Sequence, residues 1–506
     1  MSVIGLELCD AGMAAAIGTD GAPPELLEFD PPGEVPSWPG MARSAGGGYV
    51  FGREAEAAWF TEPHSVSHAF WDKLSLEPAD LTAAGKTPTY SELAYHSLHD
   101  FTARLVAKAG RMEKIALAVP GAFLKDATTE EVKIGLLLGM ARELGLPLVR
   151  IVDLACAAAI RVAAHELPRG LCIAHVDLHL QAAEVSILQF DERLTRRNFL
   201  QVPQAGLVPI LRHLKNTMGN RFLRTTTFDI HEDRRLEQTF YEQTKALFYS
   251  NQQLSQDHLF QIGTGRRSYQ MAVTRTQLAA DLQSIVAPLV QSIAGLVQAS
   301  ALAPSRCVVT LSDRAARLDG LDARLRAGGF RRVLRLRAGA AATETAMLAR
   351  ESAGVPDLGD VPVETSLLVP APVKVPVATA LCKAEATQPR PPPSHVILDG
   401  IGYAIGGEGL RIGTGRSSTF VDVVLPESFN QLGDYVVLLV REGAQLCFEA
   451  PSGGGNGAGG ARDEPNLIPV EAGDRLALRS GPAATELLFA FCNVPGSPRK
   501  TPDAGA

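Results

Sequence analysis

The sequence predicts an α/β region over residues 1–354 followed by an all-β sandwich over residues 395–493. In the first part, apolar β-prone runs alternate with stretches of helical spacing. Prolines dominate residues 355–394, which is typical of a semi-rigid linker. Beyond the linker, short strand patterns are separated by glycine turns, as in a β-sandwich. Residues 494–506 are expected to form a disordered tail.

Length and composition exclude several classes of protein. Of the 506 residues, 46% are apolar and 20% are charged, a balance that allows large buried cores. The formal net charge of -7 argues against general binding to nucleic acid or to a membrane surface. No apolar run reaches the ~18 residues that span a bilayer, and no signal peptide is evident. The seven cysteines form no C-x-x-C pair, so we expect neither disulfides nor zinc, and a cytoplasmic location.

The α/β part contains two strand pairs among alternating helices and strands. The pairs are predicted at residues 3–18 and 172–188. Between them we expect strands at 49–52, 114–120 and 148–152 and helices at 54–61, 90–110, 128–144 and 155–166. After them we expect helices at 203–226, 232–250, 274–301, 319–327 and 340–350, a hairpin at 261–273, and strands at 307–311 and 333–336.

The second strand pair, at residues 172–188, lacks the glycines that its turn would normally need. A tight turn is expected at residues 178–183, where glycine would supply a positive φ without steric cost. Side chains at such a turn fill the space in which backbone amides cradle a phosphate. The stretch therefore predicts a hairpin of the kind that binds phosphate, but with side chains that block phosphate from its turn.

Three segments match a known set of nucleotide-binding loops. Residues 5–8 stand where this set has G-I-D-L-G-T-T, residues 177–182 where it has D-L-G-G-G-T, and residues 308–321 where it has V-G-G-S-S-R-I-P. With the order of elements over residues 3–350, they resemble the α/β actin-like (ribonuclease-H-like) two-lobed ATPase fold, and in detail the nucleotide-binding domain of DnaK-type heat-shock chaperones. The resemblance implies that two hairpins clamp the phosphates of ATP while carboxylates hold magnesium and water.

The departures from this family pattern fall on the residues of its chemistry. Acidic Asp10 lies where phosphate should lie and would repel a nucleotide at close range. Larger side chains replace glycines in the second loop and in the adenosine motif. We therefore expect a vestigial nucleotide cleft at Cys9, Asp10, Ala11, His179, Leu180, Gln181, Asp313 and Arg314, with Glu7, Lys73 and Asp177 as remnants of the catalytic set.

These departures favour a pseudo-ATPase over an active enzyme. The first hypothesis is a chaperone-like scaffold that binds protein partners and has lost nucleotide hydrolysis, with no cofactor. The alternative is a divergent chaperone-type ATPase that still binds ATP and magnesium in an altered geometry. The missing glycines favour the first hypothesis, because the apolar strands and helices of the fold are intact while its phosphate loops are not.

The C-terminal part carries a second resemblance. Short segments at 396–400, 409–413 and 421–426 are similar to the forkhead-associated domain, a β-sandwich that reads phosphothreonine. The resemblance implies phosphopeptide contacts at Arg416 and Asn456 and a phosphoprotein partner. A solvent-facing role for Arg416 is the commoner one for surface arginine. A degenerate chaperone substrate-binding sandwich is the runner-up for this part.

Two other patterns in the sequence have more than one interpretation. His175, Asp177 and His179 alternate, which could suggest a metal site, but alternate side chains on one strand lie ~7 Å apart and rarely converge on one ion. We therefore expect no metal. A group of arginines between residues 324 and 337 is better explained as a solvated helix face than as a nucleic-acid footprint. Protein partners are expected, without nucleic acid or membrane.

Overall fold

A computed structural model describes residues 2–19, 22–29, 38–82, 85–167, 170–250, 257–264, 267–371, 378–383, 390–406, 409–415, 419–432, 436–442, 445–449, 467–480 and 483–491. The chain forms two compact units, residues 1–371 and 372–506. The predicted division at residue 354 therefore lies within the first unit.

The first unit is mixed α/β, as predicted. Its strands are β1 Val3–Glu7, β2 Ala14–Gly18, β3 Glu25–Leu26, β4 Ala42–Ala45, β5 Gly48–Phe51, β6 Val66–Ser67, β7 Lys114–Val119, β8 Leu148–Asp153, β9 Cys172–Leu178, β10 Ala183–Phe190, β11 Arg193–Val202, β12 His258–Thr264, β13 Arg267–Val273, β14 Cys307–Leu311, β15 Arg332–Arg335, β16 Val363–Glu364 and β17 Ser366–Leu368. Its helices are α1 Arg53–Glu56, α2 Tyr90–Ala109, α3 Ala127–Glu143, α4 Leu154–Glu166, α5 Leu207–Thr226, α6 Arg234–Ser250, α7 Arg275–Ala299, α8 Leu321–Ala327 and α9 Ala340–Glu351.

Two six-stranded sheets of this unit share one internal arrangement. The first has the order β16-β8-β7-β1-β2-β3 and the second the order β15-β14-β9-β10-β11-β17. In each sheet a strand pairs antiparallel with the strand that follows it in the chain, β1 with β2 and β9 with β10. On its other side the same strand pairs in parallel, β1 with β7 and β9 with β14. The two predicted strand pairs therefore occupy equivalent places in the two sheets.

Small residues allow helix α9 to lie against the first sheet. Ala14 and Ala16 of β2 form a buried cluster with Ala342 and Ala346 of α9. At Gly5 of β1, an added Cβ would lie 2.0 Å from the carbonyl oxygen of Ala342 and 2.2 Å from the amide nitrogen of Ala346. Only glycine therefore fits at residue 5, because the backbones of strand and helix touch there.

The second unit is β-rich, as predicted. Its strands are β18 Ala378–Cys382, β19 His395–Leu398, β20 Ile401–Ala404, β21 Gly409–Gly413, β22 Val423–Val424, β23 Val436–Glu442, β24 Gln445–Glu449, β25 Leu467–Val470, β26 Arg475–Ser480 and β27 Ala483–Ala490. They form two five-stranded sheets, β18-β26-β27-β19-β20 and β22-β21-β23-β24-β25. One apolar core contains side chains from both sheets, among them Leu478 and Phe489 of the first and Ile412 and Phe448 of the second.

The prediction that residues 355–394 form a linker is wrong where this segment forms three strands. β16 and β17 belong to the two large sheets of the first unit, and β18 belongs to a sheet of the second. All three lie at the edge of their sheets. An edge strand needs partners on one side only, so it tolerates proline-rich surroundings that a central strand would not. Composition alone therefore concealed these strands.

Helix α7 is the one helix among the described residues that is long and apolar enough to cross a membrane by length and composition. Its apolar side chains, including Leu278, Leu289 and Ile293, are fully buried in the main core of the first unit. Burial of this kind is typical of a core helix in a globular protein. The cytoplasmic location stays a prediction.

The contact at Gly5 can be tested by substitution. We expect Gly5→Ala to lower the free energy of unfolding of the first unit by about 1–3 kcal/mol or more, because the methyl group overlaps the backbone of α9. Trp38, Trp59 and Trp71 all lie in this unit, so their fluorescence in urea reports its unfolding.

Gly135→Ala is the matched control for this substitution. Gly135 lies on α3, and an added Cβ there meets no atom within 4 Å. We expect it to stabilise the helix by about 0.5–1 kcal/mol. A loss below about 0.5 kcal/mol for Gly5→Ala would contradict the close packing of α9.

Candidate functional site

The turns of the two equivalent hairpins meet inside the first unit. The first turn joins β1 to β2 and carries Asp10. The second joins β9 to β10 and is closed by a hydrogen bond of 2.9 Å from the amide of His179 to the carbonyl of Ala182. The amide of Leu180 in the second turn donates to Asp10 Oδ1 at 2.8 Å. The two turns are therefore in direct contact, through the hydrogen bond between the Leu180 amide and the Asp10 carboxylate.

Arg314 connects the strands that precede these turns. Its Nη2 donates to Asp177 Oδ2 and to Glu7 Oε1, each at 2.8 Å, and its Nε donates to Asp177 Oδ1 at 3.2 Å. Glu7 ends β1 and Asp177 lies near the end of β9, so one guanidinium bridges the two sheets. All three side chains are buried. The two parallel hydrogen bonds to Asp177 have the geometry of a strong arginine–carboxylate pair.

The imidazole of His179 lies at the centre of a ring of acidic and thiol groups. Its Nδ1 is 3.3 Å from Asp10 Oδ1 and 3.5 Å from Cys9 Sγ. Its Nε2 is 3.7 Å from Asp177 Oδ2 and 3.5 Å from Glu184 Oε2. All of these side chains are buried. Three carboxylates from the two hairpins therefore converge on a single ring.

Backbone amides hold Glu184 in this ring. The amide of Gly121 donates to Glu184 Oε2 at 3.1 Å, and that of Ala122 donates to Oε1 at 3.3 Å. Both amides belong to a short 3₁₀ turn that follows β7. The carboxylate therefore keeps one orientation, because both of its oxygens are engaged.

Burial and neighbouring charges act against each other in this site. Burial raises the pKa of Glu7 and of Glu184. Burial would also raise the pKa of Asp177, but the Arg314 guanidinium outweighs it and holds that pKa well below its usual range. For His179, burial favours the neutral ring, yet Cys9, Glu184 and Asp10 together raise its pKa well above its usual value.

The cluster therefore supplies its own counter-charges. The Arg314 cation faces an ionised Asp177, the imidazolium of His179 faces Asp10, and the raised pKa values of Glu7 and Glu184 favour their neutral forms. A set of buried charges is tolerated only when each is paired and hydrogen-bonded. Nothing in this balance requires an external cation to neutralise the acids.

His175 is also buried, but its ring is uncharged. Its Nδ1 lies 3.0 Å from Thr310 Oγ1 on the neighbouring strand β14. Burial lowers the pKa of His175 to about 4. The ring is therefore neutral at physiological pH and serves as a core residue.

Beside the cluster the first unit contains a cavity of about 650 Å³. Ala11 and Leu180 of the two turns form part of its wall, together with Leu207, Tyr249 and Asp313. Its size is within the usual range for small-molecule sites. Two much smaller cavities, of 30 and 20 Å³, border the charged cluster itself. These two have room for about one water molecule or ion each.

The structure brings most of the predicted site residues together. Glu7, Asp177 and Arg314 share hydrogen bonds, and the residues of the predicted cleft lie in the two turns or in the loop after β14. Asp313 pairs with Arg317, and Gln181 donates to the carbonyl of His68. The predicted set is Glu7, Cys9, Asp10, Ala11, Asp177, His179, Leu180, Gln181, Asp313 and Arg314.

Lys73 makes a different contact, and its assignment to the catalytic set stays a prediction. Its side chain is exposed and donates a hydrogen bond of 3.3 Å to the hydroxyl of Tyr90. A lysine on the surface commonly reaches a nearby polar group in this way. The predicted phosphopeptide residues Arg416 and Asn456 lie outside the described residues.

Several partners of the site were not predicted. Asp153 caps α4 through the amide of Cys156 and lies 3.2 Å from Arg196 on β11. β11 itself was not predicted, so no sequence pattern placed Arg196 near the site. The sequence around Gly121 likewise gave no indication that the Gly121 amide contacts Glu184.

Comparison with protein-family models yields no match, and comparison with curated proteins yields no significant relative.

The bridge made by Arg314 predicts a large loss of stability on its removal. We expect Arg314→Ala to lower the free energy of unfolding of the first unit by about 3–5 kcal/mol, because Asp177 is left as an uncompensated buried charge. Urea unfolding followed by tryptophan fluorescence measures this loss.

Arg275→Ala is the control for an arginine–aspartate pair at the surface. Arg275 pairs with Asp319 at 3.1 Å, and its side chain is 53% exposed. We expect a loss of at most about 1 kcal/mol. Equal losses for the two substitutions would mean that Arg314 behaves as a surface residue.

The closure of the site predicts which thiols react. Burial raises the pKa of the Cys307 thiol to about 12 and also raises that of Cys9, whereas Cys382 is exposed. We expect iodoacetamide at pH 8 to label Cys382 in the native chain, and Cys9 and Cys307 only after unfolding, because the thiolate is the nucleophile. Peptide mass spectrometry distinguishes these sites. Native labelling of Cys9 at the rate of Cys382 would show that the two turns do not close the site.

Proposed function

We propose that the first unit is an actin-like pseudo-ATPase of the DnaK type that serves as a protein-binding scaffold. The repeated strand arrangement supports this proposal, because an actin-like fold has two related lobes whose leading hairpins face each other across the nucleotide. Here both leading hairpins are present, and their turns lie within hydrogen-bonding distance. Under this proposal, the protein itself fills the space that phosphate would occupy.

One observation carries the proposal, namely that Arg314 bridges Asp177 and Glu7. In an ATPase of this class these acids would face magnesium and the attacking water. A magnesium ion would have to displace a buried guanidinium from Asp177, and breaking a buried ion pair of this kind costs about 3–5 kcal/mol. Phosphate would in addition meet the carboxylate of Asp10, which already accepts the amide of Leu180. The site therefore disfavours binding of both the magnesium ion and the phosphates of Mg-ATP.

A second candidate is a unit that binds a nucleoside or nucleotide without hydrolysing it. The cavity of about 650 Å³ favours this candidate, because it lies beside the two turns and is large enough for such a ligand. Ala11 and Leu180 separate it from the charged cluster. Under this hypothesis the base and sugar would bind, and the phosphates would find no amide cradle.

Thermal unfolding of the full chain distinguishes the two candidates. A ligand present at 100 times its dissociation constant stabilises a protein by about 2.7 kcal/mol. We expect no shift with Mg-ATP, Mg-ADP or adenosine, and no release of phosphate. A shift with adenosine but not with Mg-ATP supports the second candidate. Micromolar binding of Mg-ATP, with turnover that Asp177→Ala abolishes, would overturn both.

The scaffold role has a separate consequence for partner binding. A chaperone with an active ATPase exchanges its partners when nucleotide is bound or hydrolysed, because the two lobes move. We expect proteins captured from the native cell by the full chain to be retained equally with and without Mg-ATP. Release of partners by Mg-ATP would contradict a pseudo-ATPase.

A further inference from the structure

A small cavity borders the Arg314 bridge where helix α9, strand β9 and the loop after β14 meet. Its volume is about 30 Å³. Ala340 and Ala341, in the first turn of α9, form one part of its wall, and His175 and Arg314 form another. A cavity of this volume has room for a water molecule or a monatomic ion. It is far smaller than a site for an organic ligand.

Helix α9 has unpaired backbone amides at this cavity. The first amides of an α-helix find no partner within the helix, and the N-cap residue here, Gly339, has no side chain that could accept from them. The amide of Ala340 donates to the carbonyl of Arg337 at 3.2 Å. Among the described residues, the amides of Ala341 and Ala342 have no partner outside the helix, and both residues are buried. Donor groups and the positive end of the helix dipole therefore lie at the cavity.

The imidazole of His175 adds a second unpaired group to the same cavity. His175 is 2% exposed, and its Nε2 has no hydrogen-bond partner among the described residues. Strand β9 is paired on both sides, so the ring is the part of His175 that reaches the cavity. Its Nδ1 is turned toward Thr310, which is not among the described residues that line the cavity. The Nε2 edge of the ring therefore faces the cavity.

The neighbouring hydroxyl group makes this nitrogen a donor. Thr310 is fully buried, and among the described residues its hydroxyl has one partner, His175 Nδ1 at 3.0 Å. A buried hydroxyl proton without an acceptor is costly, so the hydroxyl donates to Nδ1. A neutral imidazole that accepts at Nδ1 carries its proton on Nε2. This N–H group therefore needs an acceptor, and the cavity is the space in which one can lie.

Arginines border the same space, and the acids in its wall are already engaged. Arg314 donates to Asp177 and Glu7 through Nε and Nη2, while its Nη1 makes no hydrogen bond to a described residue. Arg337 also lines the cavity. The acids that line it are each paired with an arginine, Glu7 and Asp177 with Arg314 and Asp313 with Arg317. An anion in the cavity would therefore meet donors and compensated acids.

We propose that this cavity is a halide site that takes chloride, held by His175 Nε2, the first-turn amides of α9 and Arg314 Nη1. A helix N-terminus favours an anion, and the small volume selects a monatomic one. A water molecule accepts about two hydrogen bonds and must place two protons of its own, whereas a halide accepts from every donor. The ion links α9, which packs on the first sheet, to β9 of the second. The inference does not depend on whether the unit binds a nucleotide.

Thermal unfolding of the full chain in matched salts tests the proposal. Sodium chloride and sodium bromide are compared with sodium gluconate at equal ionic strength, because gluconate screens surface charges equally but is too large for the cavity. We expect the melting temperature of the first unit, followed by tryptophan fluorescence, to rise to a plateau with chloride and with bromide. His175→Phe removes the Nε2 donor and should abolish this rise.

His258→Phe is the matched control. Nε2 of His258 is also buried and unpaired among the described residues, but His258 is not one of the described residues that line the cavity. This variant should keep the rise of the wild type. An equal rise in all three proteins, or no halide-specific rise in the wild type, would overturn the proposal.

Anomalous diffraction from bromide keeps the test decisive if His175→Phe fails to fold. Crystals of the wild-type full chain grown in sodium bromide should give an anomalous peak inside the cavity, in contact with His175 Nε2 and the amide of Ala341. A cavity that holds only water, or nothing, under these conditions would overturn the proposal.

Discussion

The packing of the two hairpin turns depends on a single guanidinium that lies between the two sheets. Arg314 lies between acids that end equivalent strands, Glu7 on β1 and Asp177 on β9. Arg314 donates hydrogen bonds to both acids, so one buried cation joins the ends of the two strands. The turns that follow these strands can then pack together, which brings Asp10 onto the amide of Leu180. The closure of the site follows from this ion pair.

The shape of the first unit rests on a different constraint, the small size of residues between sheet and helix. Gly5 and the alanines of β2 and α9 leave no room for larger side chains, so the helix axis lies close to the strands. This packing is independent of the charged cluster. The cavity of about 650 Å³ has Ala11 and Leu180 of the two turns in its wall.

Periodicity predicted the elements that have strong patterns and missed those that do not. The strand at 307–311 and the long helices were found because their apolar spacing is regular. The edge strands β16, β17 and β18 were missed because prolines around them resemble a linker. The two hairpin patterns predicted Asp10 and His179 in one cleft with Asp177 beside them, but gave no prediction for the contacts of Glu184. The individual contacts of His179 could not be predicted, because they join segments far apart in the sequence, such as Cys9, which lies 170 residues away.

The central claim is that Arg314 and Asp177 stabilise the closed site through a direct interaction. A double-mutant cycle measures this most directly, with Arg314→Leu, Asp177→Leu and the double variant compared with the wild type by urea unfolding of the first unit. The account predicts a coupling free energy above about 1.5 kcal/mol, since each single substitution strands a buried partner that the double variant removes. A coupling below about 0.5 kcal/mol would contradict it, because the two residues would then contribute independently.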